Sequence, residues 1–132
     1  MKTEADECVN ERCWVLVGQR RGRIWYARKW GEFDGKPTEV EFDAATVLDR
    51  EERRRDVLGF LHTHPNSAPR PSRRDLHTMR AWASCFGKPL LCLIDGSGQL
   101  EGYRFDDDSS SGERMLSVES FRRGIVIAVD AD

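Results

Sequence analysis

Apolar residues in this chain fall into short compact runs and one longer stretch of helical spacing. Residues 13–17 (C-W-V-L-V) form a dense apolar run closed by Gly18, which predicts a buried strand. Residues 23–30 are rich in aromatics and predict a second strand, after a glycine-containing turn over residues 19–22. Residues 31–37 are rich in turn formers, and residues 57–61 (V-L-G-F-L) predict a strand that runs into two histidines. From Pro71 onward the period changes. Leu76, Met79, Ala83 and Phe86 recur every three or four positions, a helix that opens at Ser72 to Asp75 and stops at Gly87. Residues 89–95 (P-L-L-C-L-I-D) predict another strand, and Gly96-Ser97-Gly98 a hairpin turn into a strand over residues 99–105. Residues 106–112 (D-D-D-S-S-S-G) predict an exposed loop, and residues 124–129 a final β-branched strand. Residues 3–11 predict a short first helix without a strong apolar stripe, and residues 49–56 (D-R-E-E-R-R-R-D) a solvated helix face or loop. Strands with at least one well-marked helix make the fold class α/β or α+β around a central sheet.

Composition narrows the setting. With 132 residues, the chain predicts one domain over residues 1–132. No apolar run reaches the roughly 20 residues that cross a bilayer, which argues against a membrane partner. The charged N-terminus lacks the apolar core of a signal peptide, so the expected location is the cytoplasm. A net charge of −2 and a pI near 5.9 argue against a nucleic-acid partner, because such proteins carry a basic excess. Arg70, Arg73 and Arg74 cluster locally; singly each is ordinary solvated surface, and together they could steer an acidic substrate. Cys8, Cys13, Cys85 and Cys92 form no C-x-x-C pair and are too few for a disulfide scaffold. Of these, Cys13, Cys85 and Cys92 sit in apolar stretches and are expected to be small buried hydrophobes.

The chemistry concentrates in residues 59–75, G-F-L-H-T-H-P-N-S-A-P-R-P-S-R-R-D. Strand side chains alternate faces, so His62 and His64 point the same way and both imidazoles can reach one ion. Asp75, in the first turn of the following helix, is the natural third ligand. Two histidines and a carboxylate leave one tetrahedral position open, the design of a catalytic rather than a structural zinc site. Ser72-x-x-Asp75 is also a helix capping box, a structural role that coexists with a chemical one. Thr63 faces the other way and reads as structural, His77 as surface and Trp82 as core. Zinc deaminases use H-x-E with P-C-x-x-C; His64 and the missing C-x-x-C exclude that chemistry.

His62-x-His64-Pro65, six residues, then Ser72-x-x-Asp75 resembles the signature of the JAMM/MPN+ metallopeptidases, or JAB domain. Upstream, Glu11-Arg12-Cys13-Trp14-Val15-Leu16-Val17-Gly18 matches the family's glutamate-led strand, except that Trp14 stands where glycine is common. The resemblance extends over most of the chain and implies the MPN fold, a curved mixed sheet flanked by helices. It implies one catalytic Zn²⁺ on His62, His64 and Asp75, acidifying water. Glu11 is implied as the general base, with Glu7 the fallback, and the Ser72 hydroxyl as donor to the developing oxyanion. The implied activity is a zinc isopeptidase or peptidase that cuts after the C-terminal glycine of a ubiquitin-like protein, in deconjugation or precursor processing. Small size suggests a bacterial member, whose relatives are associated with ubiquitin-like conjugation operons, including antiviral defence, and with sulfur-carrier processing. Its partners would be a ubiquitin-like protein or its conjugates, and E1- or E2-like proteins of the same pathway. Two alternatives are a RadC-like, DNA-repair-associated JAB protein and a non-catalytic MPN scaffold. The acidic pI opposes the first and the complete ligand set the second.

Overall fold

In the computed structural model, residues 12–34, 41–65 and 67–131 are described; the expected helix over residues 3–11, with Cys8 and Glu11, lies outside them. Eight strands form one mixed sheet: β1 (Arg12–Arg21), β2 (Ile24–Asp34), β3 (Val57–His64), β4 (Leu90–Gly96), β5 (Gln99–Phe105), β6 (Glu113–Arg114), β7 (Ser117–Ser120) and β8 (Ile125–Val129). Two helices are described, α1 (Glu41–Arg54) and α2 (Arg73–Phe86). The spatial order is β6-β5-β4-β3-β1-β2-β8-β7. Only β3 and β4 run parallel, joined through α2 as a β-α-β unit.

The sheet curls. The run through β6 and β7 leaves the edge at β5 and joins the edge at β8, and Met115 N donates to Gly102 O at 2.8 Å. Curling gives two apolar cores. The concave one holds Leu16, Trp25, Leu58, Leu61, Leu91, Leu93 and Val126. The other, between the sheet and the helices, holds Cys13, Val15, Phe60, Met79, Trp82, Cys92, Ile94 and Phe105. Alternation along β1 and β4 assigns neighbouring residues to opposite cores, as a strand's period of two requires.

Along β3 that alternation slips once, and the slip positions the chemistry. Against β1, Leu16 pairs with Gly59 but Val17 with Val57, so β3 carries one extra residue there. Val57 and Phe60 therefore share the helix-side core, while Leu58 and Leu61 share the concave one. Continuing from Phe60, His62 and His64 fall on the helix side; an unbroken alternation from Val57 would send them to the concave side. Gly59 permits the slip beside β4, since a Cβ there would stand 1.8 Å from the Leu91 carbonyl oxygen.

Several expected boundaries move. β1 runs on to Arg21, and the turn is confined to Gly22 and Arg23. β2 does not stop before Gly31 but continues to Asp34. An extra residue opposite the Trp14–Val15 step keeps Trp30 packed on the helix-side core. Residues 49–54 form the end of α1, the helix face of the two expected alternatives, with Arg55 and Asp56 beyond its end, and the rest of α1 was not expected. The helix closed by Gly87 and the Ser97-Gly98 hairpin stand where the sequence placed them. No described helix is long and apolar enough to cross a membrane.

Candidate metal centre

The C-terminal end of β3 and the first turn of α2 bring three predicted ligands together. His62 Nε2 lies 3.2 Å from Asp75 Oδ1, and His64 Nε2 lies 3.1 Å from Asp75 Oδ2. The two Nε2 atoms are 3.2 Å apart. All three side chains are buried, at 2%, 7% and 5% exposure for His62, His64 and Asp75. They form the one cluster of three potential metal ligands among the described residues.

A loop fixes their orientation. His64 Nδ1 lies 3.1 Å from the Ala68 carbonyl, which accepts only a proton-bearing nitrogen, so in the neutral ring Nε2 presents a lone pair. Ser97 Oγ donates to Ser67 O at 3.1 Å, and Tyr103 OH donates to Pro69 O at 3.2 Å. Gly96 lets this loop cross the end of β4, because a Cβ there would meet Ser67 O at 2.5 Å. Sequence reasoning missed these supports. Gly96 and Tyr103 were visible as residues of a hairpin, but a backbone carbonyl such as that of Ala68 leaves no signal in sequence.

α2 supplies the third ligand through its capping box. Ser72 Oγ accepts from Asp75 N at 3.1 Å, and Ser72 N donates to Asp75 Oδ2 at 2.8 Å. Ser72 itself is exposed. Burial alone would raise the Asp75 carboxyl, but the His62 and His64 rings beside it and the Ser72 N–H outweigh it and hold the group far below the usual carboxylate range. A permanent carboxylate, the bare Nε2 of His64 and the Nε2 of His62 thus converge as electron-pair donors. Tetrahedral zinc with bonds near 2.0–2.1 Å would set its ligand atoms roughly 3.3 Å apart, close to the separations here. This donor set fits a divalent cation.

The neighbouring predictions divide. Thr63 faces away and its Oγ1 accepts from Arg12 N at 3.0 Å, a structural tie between β1 and β3. His77 is exposed and Trp82 is buried, as expected. Cys13 and Cys92 are buried, and burial, with Asp75 nearby, pushes the Cys92 thiol well up, so it stays protonated. Cys85 corrects the expectation: it is exposed, because it lies off the buried α2 stripe of Asp75, Met79, Trp82 and Ala83. Trp14, the departure from the expected glycine, packs against the concave core, with Lys29 Nζ 4.3 Å from its ring centroid. Its bulk lies on the opposite sheet face from His62.

The chain is 26% identical over 114 residues to a desampylase of Pyrococcus furiosus, covering 83% of this chain and 76% of the relative. Residues 1–106 match the family model described as prokaryotic homologs of the JAB domain, a span that contains β1, β3, α2 and the whole His62–His64–Asp75 cluster, and the chain belongs to that family.

Proposed function

We propose that this chain is a single-domain zinc isopeptidase or peptidase that cuts after the C-terminal glycine of a ubiquitin-like protein. The observation that carries the reading is the convergence of His62, His64 and Asp75 in a buried, acceptor-rich cluster. The relative's name, desampylase, supports a deconjugating hydrolase that acts on a ubiquitin-like modifier. When bound, zinc supplies Lewis acidity toward water and the scissile carbonyl. His62, His64 and Asp75 would hold it, and the Ala68 carbonyl keeps His64 in the ligating tautomer.

Glu11 takes a proton from the attacking water and passes it to the leaving amine, a task typically worth about 10²- to 10⁴-fold in rate. Supporting this assignment, Cys13 pairs with His62, so the start of β1 runs beside the histidine end of β3. Ser72 accepts from Asp75 N through Oγ, which leaves its hydroxyl hydrogen to donate to the developing oxyanion. We place the protein in a bacterial ubiquitin-like pathway of the cytoplasm, antiviral defence being one setting, with E1- and E2-like proteins as further partners.

Zinc-dependent cleavage of a ubiquitin-like protein bearing a short C-terminal extension tests the reading. The wild type is expected to cut after the glycine, and Glu11→Ala to keep one zinc and lose cleavage. A wild type that holds zinc and leaves every extended or conjugated substrate intact contradicts the substrate assignment.

A further inference from the structure

The end of the sheet opposite the metal centre holds a cavity of about 470 Å³ between the β1–β2 hairpin, the α1–β3 connection and the α2–β4 connection. Its size is that of a small-ligand site. Arg20, Arg21, Arg55 and Lys88 line it, above an apolar floor that includes Leu58 and Pro89. Four cations thus surround one cavity in a chain whose net charge is −2.

Two of these cations are held in place by acids. Arg20 Nη2 lies 2.8 Å from Asp130 Oδ2, and Lys88 Nζ lies 2.8 Å from Glu51 Oε2. The other two bring uncompensated charge. Arg21 Nε donates to the neutral Gln19 side chain at 3.1 Å, and the Arg55 guanidinium engages no acid among the described residues. Attraction to the α1 C-terminus accounts for Arg53 and Arg54, which lie in its last turn. The same attraction reaches Arg55, which in addition bears a backbone cost. That residue follows the last turn with φ +54°, and its N–H closes on Glu51 O at 2.7 Å. This left-handed position is where glycine sits without steric cost and any other residue is strained. Here an arginine occupies it and faces the cavity.

We propose that this cavity is a binding site for a small phosphate-class anion, separate from the metal centre. The paired Arg20 and Lys88 provide preorganised donors, Arg21 and Arg55 provide the excess charge, and Leu58 and Pro89 take an apolar portion of the ligand.

Amide NMR titration of the full chain with inorganic pyrophosphate, at constant ionic strength, tests the proposal. Saturable shifts are expected at Gly18, Leu58 and Lys88, with a dissociation constant below roughly 1 mM, and none with matched chloride. Arg55→Gly is expected to raise the melting temperature, by relieving the strained backbone, while weakening pyrophosphate about ten-fold. Arg21→Gln, at an exposed position, is expected to weaken it similarly without changing the melting temperature. Adenosine monophosphate in a parallel titration separates the sources: tighter binding than pyrophosphate identifies a phosphorylated organic ligand, and weaker binding a free polyanion. Equal shifts with chloride, shifts confined to His62 and His64, or unchanged affinity in the folded variants would overturn the site.

Discussion

Asp75 and Asp130 are both buried carboxylates, 5% and 3% exposed, yet the groups around them have opposite character. Asp130 meets donors on every side. Trp25 Nε1 donates to Oδ1 at 2.9 Å, Arg20 reaches Oδ2 at 2.8 Å, and Arg104 Nη1 lies 3.3 Å from Oδ1. Its own carbonyl accepts from Arg23 Nη2 at 2.7 Å. The chain thus supplies the counter-charge, and the result is a structural cross-tie between β1, β2, β5 and the end of β8. Asp75 accepts one backbone N–H, from Ser72, and otherwise meets no cationic side chain but two imidazoles whose Nε2 atoms stand 3.2 Å apart. What would settle the charges at that end is a cation. Burial of a carboxylate is therefore no sign of function by itself; the sign is whether the fold provides its partners.

Substitutions can break this contrast in a graded order. Asp75→Ala is expected to reduce metal affinity by more than about 100-fold, the upper end for loss of a mere supporting group, while circular dichroism shows the fold retained. Asp130→Ala is expected to do the reverse. It leaves the buried Trp25 indole N–H without its acceptor and removes the counter-charge of Arg20, costs about 1–3 kcal/mol in denaturant unfolding and keeps the metal stoichiometry. Ser72→Ala joins both effects on one residue, with about 1 kcal/mol lost from the α2 cap and a roughly 10²- to 10³-fold fall in kcat.

Asp56 sharpens the comparison as a partly buried third case. Its hydrogen bond to Arg50 is the main cause that holds its carboxyl below the ordinary value of 3.8. The folded value lies below the unfolded one, so the pair's stabilisation is present above pH ~4 and is lost as pH falls through the folded value. Asp56→Asn should lower neutral stability by about 1 kcal/mol or less and flatten the acid limb of the stability profile. Equal losses at pH 7 and at pH 2.5 would contradict that assignment.

The metal end was the more legible of the two in the sequence, because its parts are local. H-x-H at a strand end and the Ser72–Asp75 capping box each lie within a few residues, and the helical spacing from Leu76 to Phe86 carries its own period. The helix α1 was harder. Of its last eleven residues only Val47 is fully buried, with Ala44 packed on the core, so the stripe is too thin beside the charges of residues 49–54. β6 and β7 were invisible for a related reason: Glu113, Arg114, Ser117, Glu119 and Ser120 are exposed, and only the neighbouring strands make them strands. The face on which the histidines emerge depends on the slip at Gly59, which periodicity in V-L-G-F-L does not announce. Asp130 gave no signal at all, since its partners are remote in sequence, Trp25 at a separation of 105 and Arg20 at 110.

The central claim, that His62, His64 and Asp75 hold one metal ion, is tested most directly by metal content per chain after dialysis of the zinc-loaded protein, for the wild type, Asp75→Asn and Asp130→Asn. The predicted result is about one zinc for the wild type and for Asp130→Asn, and near none for folded Asp75→Asn. A wild type without metal, or an Asp75→Asn variant that keeps its full zinc, would contradict it.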